Sequence, residues 1–365
     1  MIIAVFLNVS SRGEPNALSI TQKPYGQIDG QDVHLFTLQN QNAMQVEITN
    51  YGGIIVSLSV PDKNGTVADI TLGYDSLKGY VTDSSYLGAL IGRHANRLED
   101  AEFELAGVTY DLAKNDGANH LHGGFVGYHK VIWNAKILED NSLELTYFSR
   151  DGEENYPGNL DVKVIYTLTA DNALEIHYHA ISDKDTVVNL TNHAYFNLAE
   201  HNAGDISQHQ LRINAKHFTA VNDQGLPTGE IHAVENTPMD FTTLNSIASG
   251  LDSDHPQIVC GQGYDHNWIL DTKGWITNKA AELYEVTTGR VLEVYTTKPG
   301  LQFYSGNFLT GTEVGKSNSF YPKRSALCLE TQYFPNAMKH KHFPSPVLQA
   351  GQEYRHTTIY AFSIR

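Results

Sequence analysis

Stretch after stretch of this chain alternates apolar and polar residues with a period of two, and few folds are compatible with that. Met44, Val46 and Ile48 alternate with polar neighbours until Asn50-Tyr-Gly-Gly53 interrupts the run. Ile54, Val56, Leu58 and Val60 follow, and the turn Pro61-Asp-Lys-Asn-Gly65 stops them. Leu160, Val162, Val164, Tyr166 and Leu168 alternate up to Ala170-Asp-Asn172; Leu174, Ile176 and Tyr178 return, which reads as an antiparallel hairpin. Thr357–Ile364 reads as a further strand. Successive side chains of a strand point to opposite faces, so each segment buries one face and wets the other. Helical periodicity is scarce, and Thr242–Ser249 is the one stretch expected to form a short helix. Many short strands separated by turns imply an all-β fold, a large antiparallel β-sandwich. No Pro/Ser-rich linker, composition shift or fixed repeat divides the 365 residues. One domain is therefore expected over residues 20–365, with residues 1–19 as a loosely tethered N-terminal extension.

Charge narrows the partners. Twenty-five Lys plus Arg against 41 Asp plus Glu leave a net charge of −16. Such a surface repels phosphate backbones and anionic lipid heads, so neither nucleic acid nor membrane is expected, and a neutral small molecule is the favoured substrate. No apolar run reaches the 18 or so residues of a membrane helix. Met1–Leu7 is apolar but short and lacks a basic leader, so the cytoplasm is the expected compartment. Cys260 and Cys328 are too far apart in sequence for a redox or metal motif and are expected to be reduced, partly buried thiols.

Polar residues crowd into five short stretches that a plain sandwich does not need. Gly92-Arg-His-Ala-Asn-Arg97 offers two guanidinium forks to a polyol or carboxylate. In Asn119-His-Leu-His-Gly-Gly124, His120 and His122 would share one strand face, and the glycines suggest a close backbone approach to a ligand. That spacing would suit a metal, as would His177/His179 and His340/His342, but no Cys or carboxylate completes a ligand set nearby, and no metal is expected. Asn189-Leu-Thr-Asn-His-Ala-Tyr-Phe-Asn197 sets His193 among amides and aromatics that could fix its tautomer and pack on a sugar ring. Gly261-Gln-Gly-Tyr-Asp-His-Asn267 carries Asp265 and His266 on a glycine-rich loop. In Leu327-Cys-Leu-Glu-Thr-Gln332, Glu330 interrupts an apolar strand, and a carboxylate there is costly unless it is hydrogen-bonded or functional. Burial would raise its pKa and make it a competent base near neutral pH.

Taken in order, these stretches resemble the successive motifs of the aldose 1-epimerases, or galactose mutarotases. Thr297-Lys-Pro-Gly-Leu-Gln-Phe-Tyr-Ser-Gly306, Tyr51-Gly-Gly53, Val60-Pro-Asp62 and Leu72-Gly-Tyr-Asp75 look like that family too, so the resemblance runs from about residue 20 to the C-terminus. It implies a β-supersandwich and a cofactor-free, metal-free enzyme that interconverts the α and β anomers of a hexose. It further implies that His193 is the general acid on the ring oxygen and Glu330 the general base on the anomeric hydroxyl. Asn96, Arg97, His122 and Asp265 would hold the sugar, with Tyr195 and Gln302 lining the site. The expected partner is an aldose, and the expected assembly a monomer or homodimer. Rival readings remain. A glycoside hydrolase would pair Asp265 with Glu330 but leaves His193 idle. A sugar-binding module would need neither acid nor base. A hexose-6-phosphate epimerase would need cations at the pocket rim, for which only Arg93 and Arg97 offer themselves.

Overall fold

The computed structural model describes residues 18–365. Nearly all of the expected N-terminal extension lies outside them; Ser19, its last residue, already opens the first strand, Ser19–Ile28. Two large antiparallel sheets dominate. The nine-stranded sheet runs in the spatial order Asn134–Ile137, Leu143–Ser149, Leu160–Leu168, Ala173–Ser182, Glu353–Ile364, Arg290–Thr296, Lys279–Tyr284, Gln210–Ile213, Asn245–Ser246. The six-stranded sheet runs Tyr195–Phe196, Leu327–Gln332, Gly300–Tyr304, Asp265–Ile269, His217–Val221, Pro227–Ala233. A five-stranded meander from Ser19 to Asp69 flanks them. The all-β sandwich read from the alternation is borne out. The hairpin forms in the expected place, with Leu160 opposite Ser182 and Leu168 opposite Leu174.

The nine-stranded sheet follows the alternation closely. Leu160, Val162, Val164, Tyr166 and Leu168 are buried, while the residues between them are partly or fully exposed. Their buried face meets the six-stranded sheet across one continuous core that also holds Phe196, Trp268, Leu301, Phe303, Leu327 and Leu329. The Tyr360 hydroxyl crosses between the sheets to donate to the Leu329 carbonyl at 3.2 Å. The central strands of the six-stranded sheet differ: every residue of Gly300–Tyr304 and of Leu327–Gln332 is buried. One face of each strand packs on the core. The other carries Gln302 and Tyr304, or Cys328, Glu330 and Gln332, and cross-strand register sets Gln302 opposite Glu330.

The helix expected at Thr242–Ser249 is mostly absent. Asp240 ties Thr242 into a turn (Oδ1 to N 3.0 Å), Asn245–Ser246 joins the edge of the large sheet, and only Ala248–Leu251 coils. Helices at Leu77–Thr82 and Pro256–Gly261 were not foreseen; each is six residues long, too short to carry a readable helical period.

Candidate active site

The pocket-facing side of the six-stranded sheet forms the floor of a cavity of about 380 Å³. Glu330 and Tyr304 rise from its central strands, Asp265 from the neighbouring strand and Tyr195 from the edge. Walls come from Asn96, Arg97 and His122 on one side and from Ser84, Ser85 and Tyr86 on another, with Phe308 and Leu309 at the rim. Two segments are zipped together to deliver the imidazoles. The Ala95 N–H donates to the Asn189 carbonyl at 2.8 Å, and the His193 N–H donates to the Ala89 carbonyl at 2.9 Å. The segments 89–97 and 189–197, far apart in sequence, thereby face the same cavity.

His193 Nε2 lies 3.6 Å from Glu330 Oε2 at the base of the cavity, and both side chains are almost wholly buried. Burial lowers the His193 pKa to about 4. Burial raises the Glu330 carboxyl well above its ordinary value; the Asp265 charge adds to this and Arg97 works against it. Both shifts favour uncharged groups, so the pair shares one proton, which rests on Glu330 when the pocket is empty. Among the described residues Glu330 Oε2, a buried atom, has no hydrogen-bond partner.

Arg97 donates through Nε to Asp116 Oδ2 at 2.8 Å, and its Nη1 lies 3.8 Å from Asp265 Oδ2. Burial opposes the guanidinium's charge, but these two carboxylates outweigh it and raise its pKa. Asp265 is pushed up by burial more than Arg97 and Gln302 pull it down. The Asn96 N–H donates to His122 Nδ1 at 3.1 Å, and the Asn96 carboxamide oxygen accepts from the Arg97 N–H at 2.8 Å. An accepting Nδ1 puts the proton of neutral His122 on Nε2, making that nitrogen a donor into the pocket. The donor atoms of His122, His193 and Glu330 all lie within 4.8 Å of one another, close enough for a metal cluster. In this tautomer, however, His122 Nε2 has no lone pair for a metal.

The site expected from sequence is brought together with one displacement. Asn96, Arg97, His122, His193, Tyr195, Asp265 and Glu330 line the cavity. Gln302 sits behind it: its Nε2 donates to Asp265 Oδ1 at 2.8 Å, and its Oε1 accepts from Gln332 Nε2 at 3.0 Å. Arg93 does not join Arg97. It is buried elsewhere, donating to the carbonyls of Pro157 (2.8 Å) and Gly158 (2.9 Å) and to Ser149 Oγ (2.6 Å). His120 and His122 do not share a face, because the strand ends at Leu121 and His122 turns to φ 53°. His120 bonds the Ala113 carbonyl (2.8 Å) and the Tyr156 hydroxyl (2.7 Å) instead. Gly123 serves the chain's own packing, since a Cβ there would lie 1.9 Å from the Gly92 carbonyl oxygen. His266, one residue from Asp265, points into the core beside Phe218 and Trp268. His340 and His342 bond the carbonyls of Pro227 (2.9 Å) and Gly229 (2.8 Å).

With that geometry in view, the comparisons are specific. The profile of the family described as Aldose 1-epimerase matches residues 34–361. The chain belongs to the aldose 1-epimerase family. It is an enzyme of the isomerase class. The galactose mutarotase of Bos taurus is 43% identical over 350 residues, covering 95% of this chain and 99% of that protein. The aldose 1-epimerase of Escherichia coli is 37% identical over 336 residues, covering 92% and 96%. Among solved structures, the galactose 1-epimerase of Lactobacillus acidophilus superposes with a TM-score of 0.84 at 28% identity, covering 95% of this chain and 99% of that one.

Several lining residues escaped the sequence reading. Asp116 sits in a polar turn, Lys114-Asn-Asp-Gly117, that looks like any surface loop. Tyr86, held at φ 60°, packs its ring 4.7 Å from those of both His122 and His129, but Ser84-Ser-Tyr86 carries no motif. Tyr304 was within reach of the argument: strand parity sets it on the same face as Gln302.

Proposed function

We propose that the chain interconverts the α and β anomers of a neutral hexose such as galactose or glucose, with His193 and Glu330 as its acid and base. The observation that carries this reading is the 3.6 Å contact between His193 Nε2 and Glu330 Oε2 on the floor of a cavity walled by hydrogen-bonding groups. Sugar hydroxyls donating to Glu330 and Asp265 stabilise their charged forms, which moves the pair's proton onto His193. Glu330 then takes the proton of the C1 hydroxyl while the His193 imidazolium protonates the ring oxygen. The C1–O5 bond breaks, C1–O1 becomes a carbonyl, and the chain aldehyde rotates about C1–C2. Reclosure from the other face returns both protons by the same two groups with their roles exchanged. Each group contributes on the order of 10²–10⁴-fold. No electron is gained or lost, so no redox cofactor is called for.

Arg97, His122, Asn96 and Asp265 hold the sugar, Tyr195 borders it, and Gln302 acts through Asp265. Arg97 is the one cation among the described lining residues, and the Asp116 and Asp265 carboxylates occupy it. That supports a neutral sugar over a hexose phosphate. The same reading takes the protein as a monomer or homodimer, built as one domain from residue 20 onward. Free Cys260 and Cys328 support the cytoplasm as the compartment. Polarimetry of freshly dissolved α-galactose is the test. Catalysed decay of rotation to the anomeric equilibrium is expected, with no reducing sugar released from disaccharides; a decay no faster than buffer would overturn the reading.

A further inference from the structure

The strand that supplies Glu330 also sets a second side chain against His193. Cys328 lies two residues before Glu330 on the same face of Leu327–Gln332. Its Sγ is 3.5 Å from His193 Nδ1, the ring nitrogen opposite the one that faces Glu330. Cys328 is fully buried and takes no place in the cavity lining. Burial, with the Glu330 and Asp265 charges adding to it, pushes the thiol well above its ordinary value, so it stays protonated. Tyr195 and Tyr304 stand opposite Cys328 on the two neighbouring strands and fix its backbone position.

We propose that Cys328 is a positioning residue for His193, holding the ring through Nδ1 so that Nε2 is presented to the sugar in both protonation states. A thiol suits that task because its sulfur accepts weakly from Nδ1–H in either state and favours neither strongly. With neutral imidazole, Nδ1–H donates to sulfur and Nε2 keeps its lone pair for the proton that the ring hydroxyl returns. With imidazolium, Nδ1–H donates to sulfur while Nε2–H faces the ring oxygen. A carboxylate in this place would bond the imidazolium far more strongly than the neutral ring and hold the proton there, whereas the proposed cycle needs His193 to gain and lose it in every turnover. A merely space-filling residue would leave Nδ1 only its contact with the backbone of His193 itself and hold the ring less firmly.

The inference rests on His193 acting as proposed above, and the variants keep the two apart. In Cys328→Ala, kcat is expected to fall roughly tenfold with KM nearly unchanged, the size of a positioning loss rather than of a lost acid. Cys328→Ser, whose hydroxyl also accepts, should restore most of the rate. The direct readout is ¹⁵N NMR of the His193 ring in the full-length sugar-free protein at neutral pH. Wild type should show a protonated Nδ1 and an unprotonated Nε2, and Cys328→Ala an average of the two tautomers. A proton on Nε2 of neutral His193 in wild type, or unchanged kcat and ring signals in Cys328→Ala, would overturn the inference. If His193→Ala loses activity while Cys328→Ala does not, only this inference fails; if His193→Ala keeps full activity, the assignment of the acid fails with it.

Discussion

The hairpin Leu160–Ser182 and the strand pair Gly300–Tyr304 with Leu327–Gln332 are both antiparallel and both supply the same core, yet they treat polar residues differently. In the hairpin, polar side chains fall on the solvent side and every second residue is buried. In the central pair, all eleven residues are buried, so Gln302, Glu330 and Gln332 are polar groups shut away from water. A sheet gains nothing in stability from a buried, partly unpaired carboxylate. On the proposed reading the polar face of the central pair serves the chemistry, while its opposite face and the hairpin's inner face serve the fold.

That contrast can be broken most sharply at the acid–base pair. His193→Ala, Glu330→Gln and the double variant should each lose on the order of 10²–10⁴-fold in kcat, with the double hardly worse than the singles because the groups act as a unit. Additive losses would sever the coupling. On the core face of the same strands, Phe303→Ala should cost about 3–5 kcal/mol in denaturant melts while the rate per folded molecule holds; its ring stacks on Tyr264 at 4.9 Å and meets Trp268 at 5.8 Å. The two arginines of one motif offer a matched test. Arg97→Ala should raise KM for galactose by roughly tenfold with little change in melting, and Arg93→Ala, which strands buried carbonyls, should destabilise by about 1–3 kcal/mol.

Smaller effects follow from pH. The folded protein holds Glu330 protonated above the usual carboxylate value. Its contribution to stability is thus present below that value and fades as pH rises through the raised pKa. The melting temperature of Glu330→Gln relative to wild type should climb as pH rises, and a gain that shrank instead would contradict the burial account. His193 has the opposite sign: its pKa, lowered to about 4, means stability is full above its ordinary value and falls as pH drops toward 4. The smallest change is expected on the hairpin's outer face. Glu175→Gln, which removes only the charge beside half-exposed His177 and leaves the ring its Thr357 partner, should stay within about 0.5 kcal/mol and leave the rate alone.

The same contrast explains what could be read from the residues alone. Alternation over Leu160–Tyr178 gave the hairpin and its buried face because a wet sheet face forces polar residues onto one parity. Glu330 stood out for the converse reason, a charge in an otherwise apolar run. Arg93 and Arg97 looked alike because their separation depends on which way short strands turn, and that is set by distant partners such as Pro157 and Asp116. His122 and His120 were assigned one face by parity, which failed where His122 leaves the strand at positive φ. Asp116 and Tyr86 reach the cavity on loops, where no period exists to reveal direction. Gln302 was read as lining the site and supports Asp265 from behind.

The central claim, that the buried pair of His193 and Glu330 drives anomer exchange, is tested most directly by magnetisation exchange between α- and β-galactose in the presence of Glu330→Gln. The account predicts exchange slowed roughly 10²–10⁴-fold against wild type, in a protein that melts no lower than wild type. Wild-type exchange in that folded variant would contradict it.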